Sequence, residues 1–385
     1  RGAKYFGFIR FIVGVFLFGI QTYFLSKAFG YLTRISIFYL DPSLLDHELF
    51  IVFFLGMNII DWFAFTITIF LQVLLFSNGM NFNKKLINFS ALTVYSGMIF
   101  FFFSVLLSDV KLTSEAFINV LDLSNFIDIG NLGPVLTVTG TTFAYFVIVI
   151  LSFGDFSRYV KNENELKKGN FSLIINLIIF SSFALFIVSG VDAFLKQDPE
   201  NLSRILTNPM DMIGKLNNLT ITVLALCFII VASASTNLIA NFIPSQYTLI
   251  NFAPSILSLK SASFVITIFG YLIGIFWLTY LSQIGILSII DTFGAFFGPL
   301  FGIMISDYYF IRKGKLINKD IYSLEGNGEY YYSAGWHLKG VYSLVIGFIF
   351  SSSTIWNNNL MFLQSYSWII GAFISSFIYY LLARK

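Results

Sequence analysis

Ten stretches of this chain are apolar for long enough to cross a hydrocarbon core about 30 Å thick. They run near residues 7–29, 48–76, 89–107, 135–154, 171–195, 216–242, 262–281, 284–310, 341–355 and 362–382. Lipid offers backbone N–H and C=O groups no partners, so a segment of this kind must close its hydrogen bonds internally as a helix. The chain therefore reads as an all-α polytopic membrane protein. Charged residues are 11% of the total, against about 25% in soluble domains. The longest segment between spans, 311–340, has no room for a soluble domain. The whole of 1–385 is read as a single transmembrane unit with a cytoplasmic loop over 311–340.

The basic residues orient these spans. With the N-terminus inside, seventeen of the 23 Lys and Arg fall on the inner side, including Arg10, Arg158, Arg312 and Arg384. Lys27, Arg34, Lys111, Lys196, Arg204 and Lys215 fall on the other. Both ends are expected to be cytoplasmic, in a plasma (inner) membrane. The chain opens on Arg1 rather than Met and shows no cleavable signal peptide, so an incomplete N-terminus is expected. Cys227, His47 and His337 are too few for a disulfide framework or a Cys/His metal centre.

The least lipid-like stretch within a span is Ser235-Thr236-Asn237-Leu238-Ile239-Ala240-Asn241. Ala232, Ser235 and Thr236 share one helical face, whereas Asn237 and Asn241 form a second stripe well round the wheel. A helix with polar stripes on separated faces belongs inside a bundle. Hydroxyl and carbonyl oxygens suit a hard cation, and carboxamides suit the donor–acceptor edge of a polar organic ligand. The competing reading, interhelical hydrogen bonding alone, is the favoured one on spacing.

Asp61, beside Trp62, is the acid that hydropathy places well inside the membrane. It is a candidate proton site or a partner of Asn58. Asp155 and Arg158 are read as an interfacial ion pair or anchor, and Asp307 as reaching toward water. Gly294, Gly298 and Gly302 recur every four residues and read as a ridge for close helix packing, with Pro299 as a kink beside it. No nucleotide-binding loop, no paired intramembrane carboxylates, no His-Glu-x-x-His and no repeated filter sequence are present. A secondary transporter is favoured over an ATP-driven pump, a membrane enzyme or a channel; the chain is not expected to be an enzyme.

Four further stretches are distinctive: Phe18-Gly19-Ile20-Gln21-Thr22, Gly154 to Tyr159, Gly298 to Tyr309 followed by Arg312-Lys313-Gly314-Lys315, and Tyr332 to Lys339. With the Ser-Thr-Asn stretch they resemble, in order, the nucleobase:cation symporter-1 family of permeases for uracil, allantoin, hydantoins, cytosine and thiamine. The resemblance implies a leucine-transporter-like fold of twelve spans, two inverted five-helix repeats plus two trailing helices. The Phe-Gly-Ile-Gln-Thr motif belongs to the third span of such proteins, so ten spans here would be twelve less the first two. The absent first span would leave the substrate and sodium sites half-built.

The resemblance implies roles residue by residue. Ser235, Thr236 and the Ala232 carbonyl match sodium ligands. Gln21, Asn237 and Asn241 match the residues that read a heterocycle's amide edges. Leu17 stands where the family often has Trp, which removes one stacking face, and Phe146 is the matching aromatic on span four. The implied activity is symport of a nucleobase or related heterocycle with Na⁺ or H⁺ into the cell, by a monomer, with no other cofactor and no nucleic-acid partner. A thiamine or other small-solute symporter of the same fold, or a non-transporting remnant, is the alternative.

Overall fold

The computed structural model describes residues 2–122, 124, 129–195, 218–277, 279–317, 320, 323, 325–326 and 328–384. Of the basic residues used for orientation, Arg1, Lys196, Arg204, Lys215, Lys319 and Lys385 lie outside the described residues, as does part of the 311–340 loop. The chain forms α1 (Gly2–Leu40), α2 (Ile59–Phe76), α3 (Met80–Ser108), α4 (Val110–Leu121), α5 (Ile129–Ile150) and α6 (Glu163–Leu195). There follow α7 (Leu219–Asn237), α8 (Leu259–Trp277), α9 (Ile286–Ile305), α10 (Leu338–Trp356) and α11 (Ser367–Ala383). Among the described residues nine helices are long and apolar enough to cross a membrane, and α5 contributes a shorter apolar run, Leu132–Val147. These ten coincide with the ten expected spans; α4 is an additional short helix.

The second span begins much later than expected. Expected from residue 48, its long helix starts at Ile59, because Leu55 and Gly56 adopt left-handed backbone angles in a tight turn. Asn58 then caps the helix, its Oδ1 accepting the Asp61 backbone N–H at 3.0 Å. Asp61 is consequently in the first turn of α2 and not deep in a span. Its carboxylate meets Arg34 Nη2 at 2.9 Å and Lys27 Nζ at 3.6 Å. The expected partnership with Asn58 is present, through the cap.

α1 is the central post, packed against α2, α7 and α8. Gly19 lets it approach α8: a Cβ there would meet Ile273 Cβ at 3.0 Å and lie closer still to the Gly270 carbonyl oxygen. On α9, Gly294 faces Ala144 of α5, while Gly298 and Gly302 lie against the backbone carbonyls of Trp368 and Ala372 in α11. The glycine ridge is thus a packing surface, and it serves two partners. Pro299 lies inside that contact, its carbonyl accepting from Ser375 Oγ at 2.8 Å.

At the interface, Asp155 and Arg158 are not within ion-pair distance; Arg158 sits over the Tyr247 ring, 4.0 Å from its centroid. Burial pushes the Asp155 carboxyl above its ordinary value, partly offset by Arg158 and Arg10. Asp307, its side chain 25% exposed, keeps access to the surface and is held by partners as well. It accepts from Arg312 Nε at 2.7 Å and from the Tyr379 hydroxyl at 2.6 Å, and Tyr379 is bonded in turn to His337 Nε2 at 2.8 Å.

Because the α9–α11 contact is backbone to backbone, Gly302→Ala is expected to destabilise the protein by about 1–3 kcal/mol. Gly7→Ala, with nothing within 4 Å of the added carbon, is the matched control and should be silent. Thermal unfolding of the detergent-purified variants measures both.

Candidate functional site

Residues Leu238–Phe242 form a π turn between α7 and the helix Ile243–Phe252 that continues it. A π turn widens the helix and re-aims the side chains it carries. Just after it, Pro244 has no N–H to offer the Ala240 carbonyl, which accepts instead from Arg10 Nη2 of α1 at 2.8 Å. Arg10 is buried, and its Nε donates to Ser152 Oγ at 2.8 Å. Four residues along α1, Gly14 leaves space for Ser245, whose hydroxyl donates to the Asn241 carbonyl at 2.6 Å. A side chain at Gly14 would overlap that hydroxyl and come within 2.7 Å of Arg10 Nη1. Arg10, Gly14 and Ser245 therefore hold the π turn from outside, and none of them is marked by periodicity.

The turn aims both carboxamides at α1. Asn237, fully buried, directs Nδ2 at the Phe18 carbonyl (3.3 Å), Thr22 Oγ1 (3.0 Å) and Gln72 Oε1 of α2 (3.1 Å). A carbonyl can only accept, so the amide polarity follows from Phe18. Asn237 Oδ1 must face the other way, where it accepts from Asn241 Nδ2 at 2.9 Å. The same Nδ2 reaches Gln21 Oε1 at 2.8 Å. The chain of amides ends on two free valences. Asn241 Oδ1 is buried without a partner, and Gln21 Nε2 has only a 3.3 Å bond to the Ser233 carbonyl. A buried acceptor beside a weakly engaged donor is a hydrogen-bonding edge for a ligand.

The residues expected at the site are distributed accordingly. Gln21, Asn237 and Asn241 come together, but Asn237 is spent on interhelical bonds and only Gln21 and Asn241 keep free valences. Leu17, 8% exposed, packs with Val13, Val147 and Phe297 in a core between α1, α5 and α9. The α5 aromatic packed against that core is Tyr145, and its neighbour Phe146 contacts the Tyr145 ring edge-on at 5.9 Å. Ala232, Ser235 and Thr236 form the second stripe as expected. Both hydroxyls converge on the Ala232 carbonyl, at 2.9 Å from Ser235 and 3.0 Å from Thr236. Three oxygens on one face make a partial shell of the kind hard cations take, with the Thr236 side open. Asp61 lies at the far end of α1, away from both.

Gln72 was not marked by any motif, yet it joins the two stripes. Its Oε1 accepts from Thr22 and Asn237, while its Nε2 and the Thr68 hydroxyl are buried without partners. Both residues line a cavity of about 170 Å³ that Ser235 also lines.

The sequence model of the family described as "Permease for cytosine/purines, uracil, thiamine, allantoin" matches residues 2–371. The chain belongs to this family. It is 26% identical over 359 residues to the purine-uracil permease NCS1 of Arabidopsis thaliana, covering 91% of this chain and 55% of that protein. It is 26% identical over 236 residues to the allantoin permease of Bacillus subtilis (strain 168), covering 61% of this chain and 46% of that one. The chain thus spans about half the length of the curated relatives it matches. Among solved structures it resembles Mhp1, a nucleobase-cation-symport-1 family transporter, in a closed conformation with bromovinylhydantoin bound. That match has a TM-score of 0.65 at 18% identity and covers 98% of this chain and 75% of Mhp1. The inward-facing conformation of Mhp1 matches with a TM-score of 0.63. The fold of this permease-family chain is therefore the leucine-transporter-like one of Mhp1.

Gln72→Leu and Asn237→Ala should each cost about 1–2 kcal/mol, the upper range for interhelical hydrogen bonds in membranes. Because the two side chains share one bond, the double variant should cost less than the sum by about 0.5 kcal/mol or more. Unfolding midpoints of the four proteins close the cycle, and strict additivity would mean the bond contributes nothing.

Proposed function

We propose that this protein is a secondary transporter that carries a nucleobase or related heterocycle across the membrane together with a cation. The observation that carries the proposal is the unpartnered Asn241 Oδ1 on a residue bonded to Gln21, whose own Nε2 is weakly engaged. An acceptor and a donor on two bonded amides complement the N–H and C=O of a cyclic amide or imide. Because the Phe18 carbonyl sets the amide polarity from inside the bundle, this edge is organised before a ligand arrives, which limits the ordering cost of binding. The names of the relatives, permeases for purine and uracil and for allantoin, point to the same chemistry.

For the coupling ion, the oxygens of Ala232, Ser235 and Thr236 would hold Na⁺, with the hydroxyl hydrogens turned away from the Ala232 carbonyl. Asp61 is already neutralised by Arg34 and Lys27, which supports a role in joining α1 to α2 rather than in proton coupling. The excess of basic residues on one side supports both chain ends cytoplasmic in a plasma membrane. The working unit proposed is a monomer.

Removing one buried hydrogen-bonding partner of a ligand costs about 1–3 kcal/mol, or roughly ten- to a hundredfold in affinity. Gln21→Ala and Asn241→Ala are each expected to lower uptake affinity by that factor in membrane vesicles. A heterocycle methylated on the recognised nitrogen should lose as much on the unaltered protein. Normal affinity in both variants at normal expression would remove the assignment.

Thr236→Val keeps shape and deletes one cation ligand. Substrate binding measured with and without Na⁺ at fixed pH should lose its sodium dependence before it loses substrate. Linkage requires sodium and substrate to raise one another's affinity by the same factor. Sodium-independent binding by the unaltered protein would exclude this cation seat.

A further inference from the structure

Asp291 is a second intramembrane acid, and no motif or stripe points to it. It is the sixth residue of α9, about 7 Å along the axis from the helix start at 1.5 Å per residue. Its side chain is 2% exposed, less than that of Asp61 at 6%. Acids buried within a span are rare, costly and functional by default.

Its surroundings differ from those of the paired acids near the span ends. Asp61, also buried, has Arg34 and Lys27, and the partly exposed Asp307 has Arg312. Asp291 has no cation among the described residues. Gln364 Nε2, from the 3₁₀ stretch Asn358–Tyr366, donates to its Oδ2 at 2.8 Å, and Thr141 of α5 is its other polar neighbour. From α10 the Trp356 indole donates to the adjacent Thr292 at 3.1 Å. Thr141, Gln364 and Trp356 are all neutral and do not titrate in the aqueous range, so no charged side chain on these elements faces the carboxyl.

A carboxylate buried with neutral donors and no counter-charge is neutralised most simply by a proton. A metal ion fits poorly, because Gln364 presents its N–H₂ and not its oxygen. Gln364 itself is half-buried, in a stretch whose neighbours Met361 and Phe362 are exposed, so it is the side of the carboxyl nearest the surface. The acid also sits on a tight junction. Three residues on, Gly294 rests against Ala144 of α5, and Gly140 lies against the Ser365 carbonyl beside Gln364. Thr141 is one helical turn from Tyr145, which packs on the Leu17 core below Gln21.

We propose that Asp291 is a proton-binding site of this protein, reached from the end of the bundle that carries the Asn358–Tyr366 stretch and read out at the α5–α9 contact. The proton comes from water at that end, forms an O–H bond on the carboxylate and cancels its single negative charge; no other bond changes. The site is separate from the oxygens of Ala232, Ser235 and Thr236. Its use in coupling rests on the transport reading above, whereas proton binding itself does not.

Infrared difference spectroscopy of the purified chain in lipid, taken between acid and alkaline pH, reads the protonation directly. Every titrating Asp and Glu contributes protonated-carboxyl bands that shift in heavy water; one of these should be present in the unaltered protein and in Asp61→Asn, and missing in Asp291→Asn. Gln364→Leu removes a donor that favours the charged form, so it should move the midpoint of that band to higher pH. The second variant keeps the test decisive if Asp291→Asn does not fold. An unchanged band in Asp291→Asn, or an unmoved midpoint in Gln364→Leu, would overturn the proposal. Since neither spectrum requires a substrate, a failure of transport leaves this result standing, and the reverse holds equally.

Discussion

The candidate site depends on one backbone acceptor, the carbonyl of Phe18. An amide side chain can be reversed end for end at little cost unless a neighbour can only donate or only accept. The Phe18 carbonyl is such a neighbour, and it forces Asn237 to present Nδ2 to α1. Every later member of the chain inherits that choice: Asn237 Oδ1 receives Asn241 Nδ2, and Asn241 Oδ1 is left as an acceptor without a partner. The ligand edge is thus written in the bundle core, one residue away from where the ligand would sit.

The π turn makes this geometry available. In an uninterrupted α-helix the Asn237 and Asn241 stripe would follow the regular pitch. The Ala240 carbonyl is open to Arg10, a charged group buried in the bundle, because the residue four further on is Pro244, which has no N–H to give it. A buried guanidinium is retained only with partners, and it has Ser152 and Ala240. Gly14 is part of the same arrangement, because any side chain there would occupy the space of the Ser245 hydroxyl. Three residues outside the recognition motif therefore hold the motif in register.

The two separated stripes on α7 divide the labour. The Asn stripe faces α1 and α2 and bonds across the bundle, while the Ala232, Ser235 and Thr236 face keeps its oxygens local. Gln72 bridges them, bonded to Asn237 on one side and lining a cavity with Ser235 on the other.

Much of this was legible in residue order. Hydrocarbon accepts only internally bonded apolar segments, so ten spans and an all-helical fold followed from composition and length alone. The polar stripes and the small-residue ridge also showed through, because helical periodicity places residues on faces before any partner is known. What tertiary structure decided was which partner each polar group meets. Asn237 and Asn241 are the same residue type four apart, yet one is spent inside the bundle and the other is left open. Asp61 read as an intramembrane acid but lies in a first turn between two cations, because left-handed backbone angles at Leu55 and Gly56 delay its helix. Asp291, inside another span, is the buried acid with neutral neighbours only. Periodicity is a property of one helix, whereas hydrogen-bond polarity and charge compensation belong to pairs of helices distant in sequence.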